Sequence, residues 1–387
     1  MKVLHISTHN ENCGIGTYQA NYISRMMEND SNPPEFDHIY FSHTPSKNRN
    51  LSKPEFANVI SDLKKDLRNV DIVHIQHEFA FFTASQLEAI VKEIKSANKP
   101  LVATIHTAPN LRVTKRPLLS IKGPLARARN IVLNSQYLKE ITPLARADKV
   151  IVHNNFTKKA LLKEGFDQDR ILLWLHPVYV IPEGVKDSNQ VIIKKIRAKL
   201  DIQPGDVLIA TFGYINITKG GLTIVDALSL LPKNYKLVML GGIHPKAYND
   251  EELNHIADHI YERKLLDRVY ITGYLEDKPV CAALQSVDMV VYPYGIQYGS
   301  SSGAVNMGIA NHCAIVATPV KAFVEMNEAH PVMKLADSFS YLDVARAIEQ
   351  MANEDREEWI KKTVSYAEQH SFDVYGKKLM DLYKKLV

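Results

Sequence analysis

Cysteine is scarce in this 387-residue chain: Cys13, Cys281 and Cys313 are the whole set, and no two lie close together. An odd, scattered set argues against a disulfide framework. Long apolar runs are missing as well. Stretches such as Val287–Tyr294 carry polar breaks and fall far short of the ~20 residues needed to span a bilayer. The opening Met1-Lys2-Val3-Leu4-His5-Ile6-Ser7 is too short and polar for a signal peptide and reads as a first strand. A cytoplasmic location, with peripheral association at the inner membrane face, is the expectation. There is no zincin motif, no G-x-S-x-G elbow, no intact P-loop and no three-glycine dinucleotide fingerprint, so hydrolase and NTPase readings fall.

What is present is ordinary globular material, with 45% apolar and 23% charged residues. At ~150 residues per domain the length implies two domains. Short β-branched runs alternate with amphipathic segments. Strands are expected at Val3–Ser7, His38–Phe41, Ile72–Gln76, Leu101–Ile105, Ile131–Asn134, Val150–His153 and Ile171–Leu175. Helices such as Thr17–Asn29, Ala84–Ala97 and Thr157–Gly165 separate them. His176–Asn189, with Pro177, Pro182 and Gly184, reads as a linker. The alternation then restarts with strands at Val207–Phe212, Lys236–Leu240, Val269–Thr272, Met289–Tyr292 and Ala314–Thr318. Such βαβ repetition predicts an α/β chain of two doubly wound, Rossmann-like domains, residues 1–185 and 186–370. Residues 371–387 form a last helix, with an apolar stripe of Phe372, Tyr375, Leu379, Leu382, Tyr383 and Leu386.

Three strand-to-helix loops have the composition of anion sites. Gly14 and Gly16 follow the first strand and let backbone approach a phosphate. Gly213-Tyr214 leads to Lys219-Gly220-Gly221, which sets an ammonium at a helix start. Tyr294 precedes Ser300-Ser301-Ser302-Gly303, where hydroxyls and helix N–H groups come together. The second and third loops together suit a diphosphate. A glycine turn or a simple N-cap is the plainer alternative for each. His74, His77 and Glu78 end one strand and His106 closes the next, while His255 and His259 read as a surface-helix pair without a third metal ligand. Net charge is only +4, but no acidic residue occurs between Glu93 and Glu140. Arg112, Lys115 and Arg116 lie in that stretch, which is either a solvated basic face or a surface for an anionic partner.

In order along the chain, Cys13-Gly14-Ile15-Gly16, Val73–Phe79, Thr104–Thr107, Val150–Asn154, His176-Pro177-Val178, Phe212-Gly213-Tyr214 with Lys219-Gly220, and Ala314–Thr318 resemble glycosyltransferase family 4 of the GT-B fold. Two departures stand out. No Arg precedes Lys219 within Tyr214–Thr218, and Gly299–Gly308 lacks the paired Glu of the family. The resemblance implies two Rossmann-like domains facing a cleft, an acceptor-binding first domain and a donor-binding second one, with the C-terminal helix crossing back to the first. It implies retaining, metal-independent transfer from a UDP- or GDP-sugar, with no bound cofactor, in cell-surface polysaccharide or glycan synthesis. His106 and Lys219 would be catalytic. Gly14, Gly16, Lys219, Ser300, Ser301, Ser302 and Gly303 would hold the diphosphate. Gly213, Tyr214, Tyr294 and Glu325 would face nucleotide or sugar. His77, Glu78, Arg112, Lys115 and Arg116 would serve an anionic or lipid-linked acceptor. A transferase acting on DNA, a nucleotide-sugar epimerase and a catalytically silent sugar-nucleotide binder remain open alternatives, and no nucleic-acid module favours the first.

Overall fold

The computed structural model describes residues 1–8, 14–41, 50–79, 81–107, 140–182, 184–215, 217–242, 251–296 and 302–387. The chain divides into two compact units. The first holds Met1–His176 and Phe372–Val387, and the second holds Pro177–Tyr298 and Ser302–Ser371.

In the first unit, strands β1 (Lys2–Ser7), β2 (Glu35–Tyr40), β3 (Ile72–His77), β4 (Leu101–Ile105), β5 (Lys149–Val152) and β6 (Ile171–Leu173) form one six-stranded sheet. Its order is β2-β1-β3-β4-β5-β6 and every pair is parallel. Helices α1 (Gly14–Asn29), α2 (Lys53–Asp66), α3 (Ala84–Ser96) and α4 (Asn155–Lys163) run between the strands. Every residue of β3 and β4 is buried, as a parallel strand covered on both faces requires. Reciprocal capping boxes start α2 and α3: Ser52 with Glu55, and Thr83 with Gln86. The expected strand Ile131–Asn134 lies outside the described residues.

The second unit opens with α5 (Val185–Leu200). Here the structure corrects the expected linker, whose last residues already belong to this helix. Gly184, at φ +73°, ends the irregular stretch. Val185, Ile192, Ile196 and Leu200 then bury one apolar face, a signal that the preceding prolines obscured. Strands β7 (Val207–Phe212), β8 (Tyr235–Leu240), β9 (Val269–Ile271), β10 (Met289–Tyr292), β11 (Ile315–Ala317) and β12 (Lys334–Leu335) form the second sheet. Its order is β12-β11-β10-β7-β8-β9, again all parallel. Helices α6 (Gly221–Leu230), α7 (Glu251–Glu262), α8 (Asp277–Gln285), α9 (Gly303–Ala310), α10 (Lys321–Ala329), α11 (Tyr341–Asn353) and α12 (Arg356–Gln369) complete it.

The last helix, α13 (Phe372–Leu386), returns to the first unit. Phe372, Tyr375, Leu379, Leu382 and Tyr383 are buried, at roughly 1.5–3 kcal/mol each on full burial. Gly376 lets α13 approach α1 closely, because a Cβ there would stand 3.3 Å from Met26 Cγ. Asn29 donates to Asp373 at 2.6 Å and Lys384 to Asp30 at 3.2 Å, tying the rims of the two helices. Among the described residues, no helix is long and apolar enough to cross a membrane.

Candidate functional site

β7 and β10 are neighbours in the middle of the second sheet. From β7 the chain proceeds to β8 on one side, and from β10 to β11 on the other. Reversal of direction between adjacent parallel strands leaves a crevice at their carboxyl ends, the usual ligand position of doubly wound sheets. Lys219 follows β7 and Tyr294 follows β10, so both stand at that crevice.

The two loops are clasped by backbone. Gly295 N–H donates to Thr218 C=O at 2.9 Å. Gly220 takes φ +71°, and a Cβ there would lie 1.8 Å from the Pro293 carbonyl oxygen. Only glycine satisfies both conditions. Beside them, Gly241 has φ +147°, and a Cβ on it would come 2.1 Å from the Gly213 carbonyl oxygen. A small pocket at the ends of β7 and β8 is lined by Phe212, Gly213, Tyr214, Lys219 and Gly241, among others.

Lys219 Nζ donates to Tyr294 Oη at 2.8 Å and sits 3.9 Å from the centroid of the same ring. Burial pushes its ammonium down to about 7. Tyr294 Oη shares a 3.0 Å hydrogen bond with Ser302 Oγ. Ser302 is the N-cap of α9, accepting from Val305 N–H at 3.3 Å. Among the described residues, chain neighbours and the helix's own backbone aside, nothing stands within 4 Å of where a Cβ on Gly303 would be. A lysine and a helix N-terminus, where backbone N–H groups carry partial positive charge, are thus linked through one phenol.

Other expected donor-side residues are placed around this point. Tyr214 lies with its ring nearly parallel to that of Tyr274, 6.4 Å between centroids and 11° between planes. Glu325 is half-buried on α10, two residues from Phe323, whose ring lies 5.4 Å from that of Tyr294. Ser300 and Ser301, like Arg112, Lys115 and Arg116, fall outside the described residues.

In the first unit, Gly14 and Gly16 form the start of α1, and Gly16 is buried. His106, at the end of β4, bonds through Nε2 to Gln76 Oε1 at 2.8 Å, which makes Nε2 the protonated nitrogen. Its ring meets Tyr18 edge-on at 4.9 Å and lies 5.5 Å from His153. Burial, with His153 and His176 adding to it, holds His106 well below the usual imidazole range. The network continues inward. Gln76 donates to Tyr22 Oη at 3.1 Å, and Tyr22 bonds His5 at 2.7 Å. His74 bonds Tyr383 of α13 at 2.6 Å and Thr104 at 2.8 Å. His77 is buried against Phe79 and Phe82, a core position, and burial lowers it to about 3. Glu78 accepts from Thr107 Oγ1 at 2.7 Å. Its carboxyl is raised by burial.

Sequence reasoning did not single out Tyr274, Gln76, Tyr18 or Tyr22. Isolated tyrosines and a glutamine carry no spacing signal, and only the folded chain brings them to the histidines or to Tyr214. Among the described residues no group of three or more His, Cys, Asp or Glu side chains is arranged to hold a metal ion.

Comparison with solved structures assigns this pair of parallel-sheet Rossmann-like units to the GT-B class. HepE of Anabaena, solved with UDP, superposes with a TM-score of 0.71 at 13% identity over all of both chains. A glycosyltransferase from Rickettsia africae gives 0.69 at 17% identity, over 100% of this chain and 98% of that one. Residues 26–187 match Glycosyltransferase Family 4, and residues 192–368 match Glycosyl transferases group 1. The chain belongs to this glycosyltransferase family. It is also 25% identical over 232 residues to D-inositol 3-phosphate glycosyltransferase of Xylanimonas cellulosilytica. That match covers 58% of this chain and about half, 49%, of the relative.

Proposed function

We propose that this glycosyltransferase moves a sugar from a nucleoside-diphosphate sugar to an anionic or lipid-linked acceptor in glycan synthesis, with retained anomeric configuration. The observation that carries the donor assignment is the Lys219–Tyr294–Ser302 chain, which sets an ammonium and the α9 N-terminus at one switch point. HepE of Anabaena has been solved with UDP and with UDP-glucose, which favours a nucleotide-sugar donor here.

As the glycosidic bond to the donor breaks, the sugar gains oxocarbenium character and negative charge grows on the leaving diphosphate. Donors fixed in advance at that charge lower the barrier more than at the less charged ground state. Lys219 and the first N–H groups of α9 have that role. Because burial holds Lys219 near 7, the approaching diphosphate draws its proton on and turns a partly neutral amine into a full counter-charge. The leaving phosphate oxygen then takes the acceptor hydroxyl's proton, so no carboxylate base is required. Tyr214 and Tyr274 offer aromatic surface for the base, and His106 serves the sugar.

The test is a panel of nucleotide sugars scored for thermal stabilisation and slow nucleotide release. Donor-dependent stabilisation with release supports a transferase. Stabilisation without release or transfer to any acceptor indicates a silent binder, and no stabilisation by any donor contradicts the proposal.

A further inference from the structure

We infer that Tyr294 is a positioning residue, a buried phenol that holds the Lys219 ammonium in register with the N-terminus of α9; this rests on the donor-site reading above. Tyr294 is 1% exposed, so its ring is a fixed part of the second unit rather than a mobile contact for substrate. Its backbone is pinned, because Thr318 Oγ1 donates to Tyr294 C=O at 2.7 Å. Phe323 at 5.4 Å and Tyr292 at 5.8 Å pack against the ring. The hydroxyl therefore has a fixed position, and two groups meet at it. Lys219 Nζ donates to it at 2.8 Å. The same hydroxyl shares a 3.0 Å hydrogen bond with Ser302 Oγ.

This geometry solves a positioning problem. A lysine side chain has four rotatable bonds and costs ~2 kcal/mol of rotamer freedom to fix. Lys219 stands at the end of a short 3-10 turn, Ile217–Lys219, and its stem runs beside Gly213, with Cε 3.9 Å from where a Cβ there would be, an ordinary contact distance. The ring face below the ammonium and the hydroxyl at its tip restrict it without cancelling its charge. The same hydroxyl touches the N-cap of α9, so the lysine and the helix N–H groups are set relative to each other before any anion arrives.

The experiment is a double-mutant cycle. Wild type, Tyr294→Phe, Lys219→Ala and the double variant are titrated calorimetrically with UDP and with GDP, and the tighter ligand is used throughout. Tyr294→Phe should weaken binding about tenfold when Lys219 is present and less than twofold in the Lys219→Ala background. Protein labelled at lysine Cε supplies a second readout. The Lys219 resonance, identified by its loss in Lys219→Ala, should move toward the other lysines in Tyr294→Phe. If Tyr294→Phe does not fold, Ser302→Ala replaces it, with a loss about threefold greater when Lys219 is present than in the Lys219→Ala background, where only the lost α9 cap acts, and equal losses overturn the positioning role.

The outcomes separate cleanly. Binding of neither diphosphate to wild type, or equal binding by Lys219→Ala and wild type, overturns the donor site and this inference with it. A normal Lys219 dependence with no effect of Tyr294→Phe, or with the same loss in both backgrounds, overturns the positioning role alone. An unmoved Lys219 resonance does the same.

Discussion

Replacing Gly220 by alanine tests the clasp that brings Lys219 and Tyr294 together. Two costs can be read from the structure. The backbone sits at φ +71°, where a side chain costs ~1–2 kcal/mol. The added Cβ would also lie 1.8 Å from Pro293 O and 2.8 Å from Pro293 C, and the backbone must part by about 1 Å or more to relieve it. Overpacking of that kind costs ~1–3 kcal/mol. Together they predict a loss of about 2–5 kcal/mol, or about 4–20 °C in Tm for a unit of this size. Because the displaced backbone carries Tyr294, UDP or GDP affinity should fall with it. Gly205→Ala is the matched control, with φ +91° and open space around the Cβ, so it bears the conformational cost alone. Thermal unfolding of both variants, followed by diphosphate titration, provides the comparison. Equal Tm shifts for Gly220→Ala and Gly205→Ala would refute the clasp.

Other outcomes follow from the same geometry. Lys219→Ala should lower turnover ~100-fold or more, measured as nucleotide release in the presence of acceptor, and a near-normal rate would remove the diphosphate site. Tyr274→Ala should raise the donor KM several-fold with little change in kcat, whereas an unchanged KM would leave the Tyr214–Tyr274 pair without a role in binding. His106→Ala should lose turnover while still binding UDP or GDP, and a parallel loss of diphosphate affinity would reassign it. Burial lowers His74, His77 and His153 to about 3, so between that value and their unfolded value near 6.5 the unfolded chain binds more protons. These three rings together should lower stability by about 4 kcal/mol between about pH 7.5 and 5.5 and add little slope above pH 7, where Lys219, lowered by burial to about 7, still makes stability rise with pH. A Tm at the lower of those pH values equal to that at the higher would contradict neutral burial of these rings.

The second sheet was legible almost strand by strand, because parallel strands buried on both faces appear as short β-branched runs such as Val207–Phe212 and Met289–Tyr292. The start of α5 was not, since Pro177, Pro182 and Gly184 imply irregular backbone just where Val185 begins a helix. Lys219 could be singled out from its glycines and its position after a strand. Its partner geometry could not, because Tyr294 lies 75 residues away, Ser302 further still, and both reach it only through the pairing of β7 with β10. The histidines show the opposite case. His74 and His77 looked like candidate chemistry in one dimension, yet both are buried, His74 bonded to Tyr383 and His77 packed on phenylalanines.

A crystal structure of the enzyme with bound UDP or GDP is the decisive measurement for the donor site. A terminal phosphate oxygen is expected about 3 Å from Lys219 Nζ and within reach of the first N–H groups of α9. A diphosphate bound away from the β7–β10 crevice, or one there whose phosphates turn from Lys219, would contradict it.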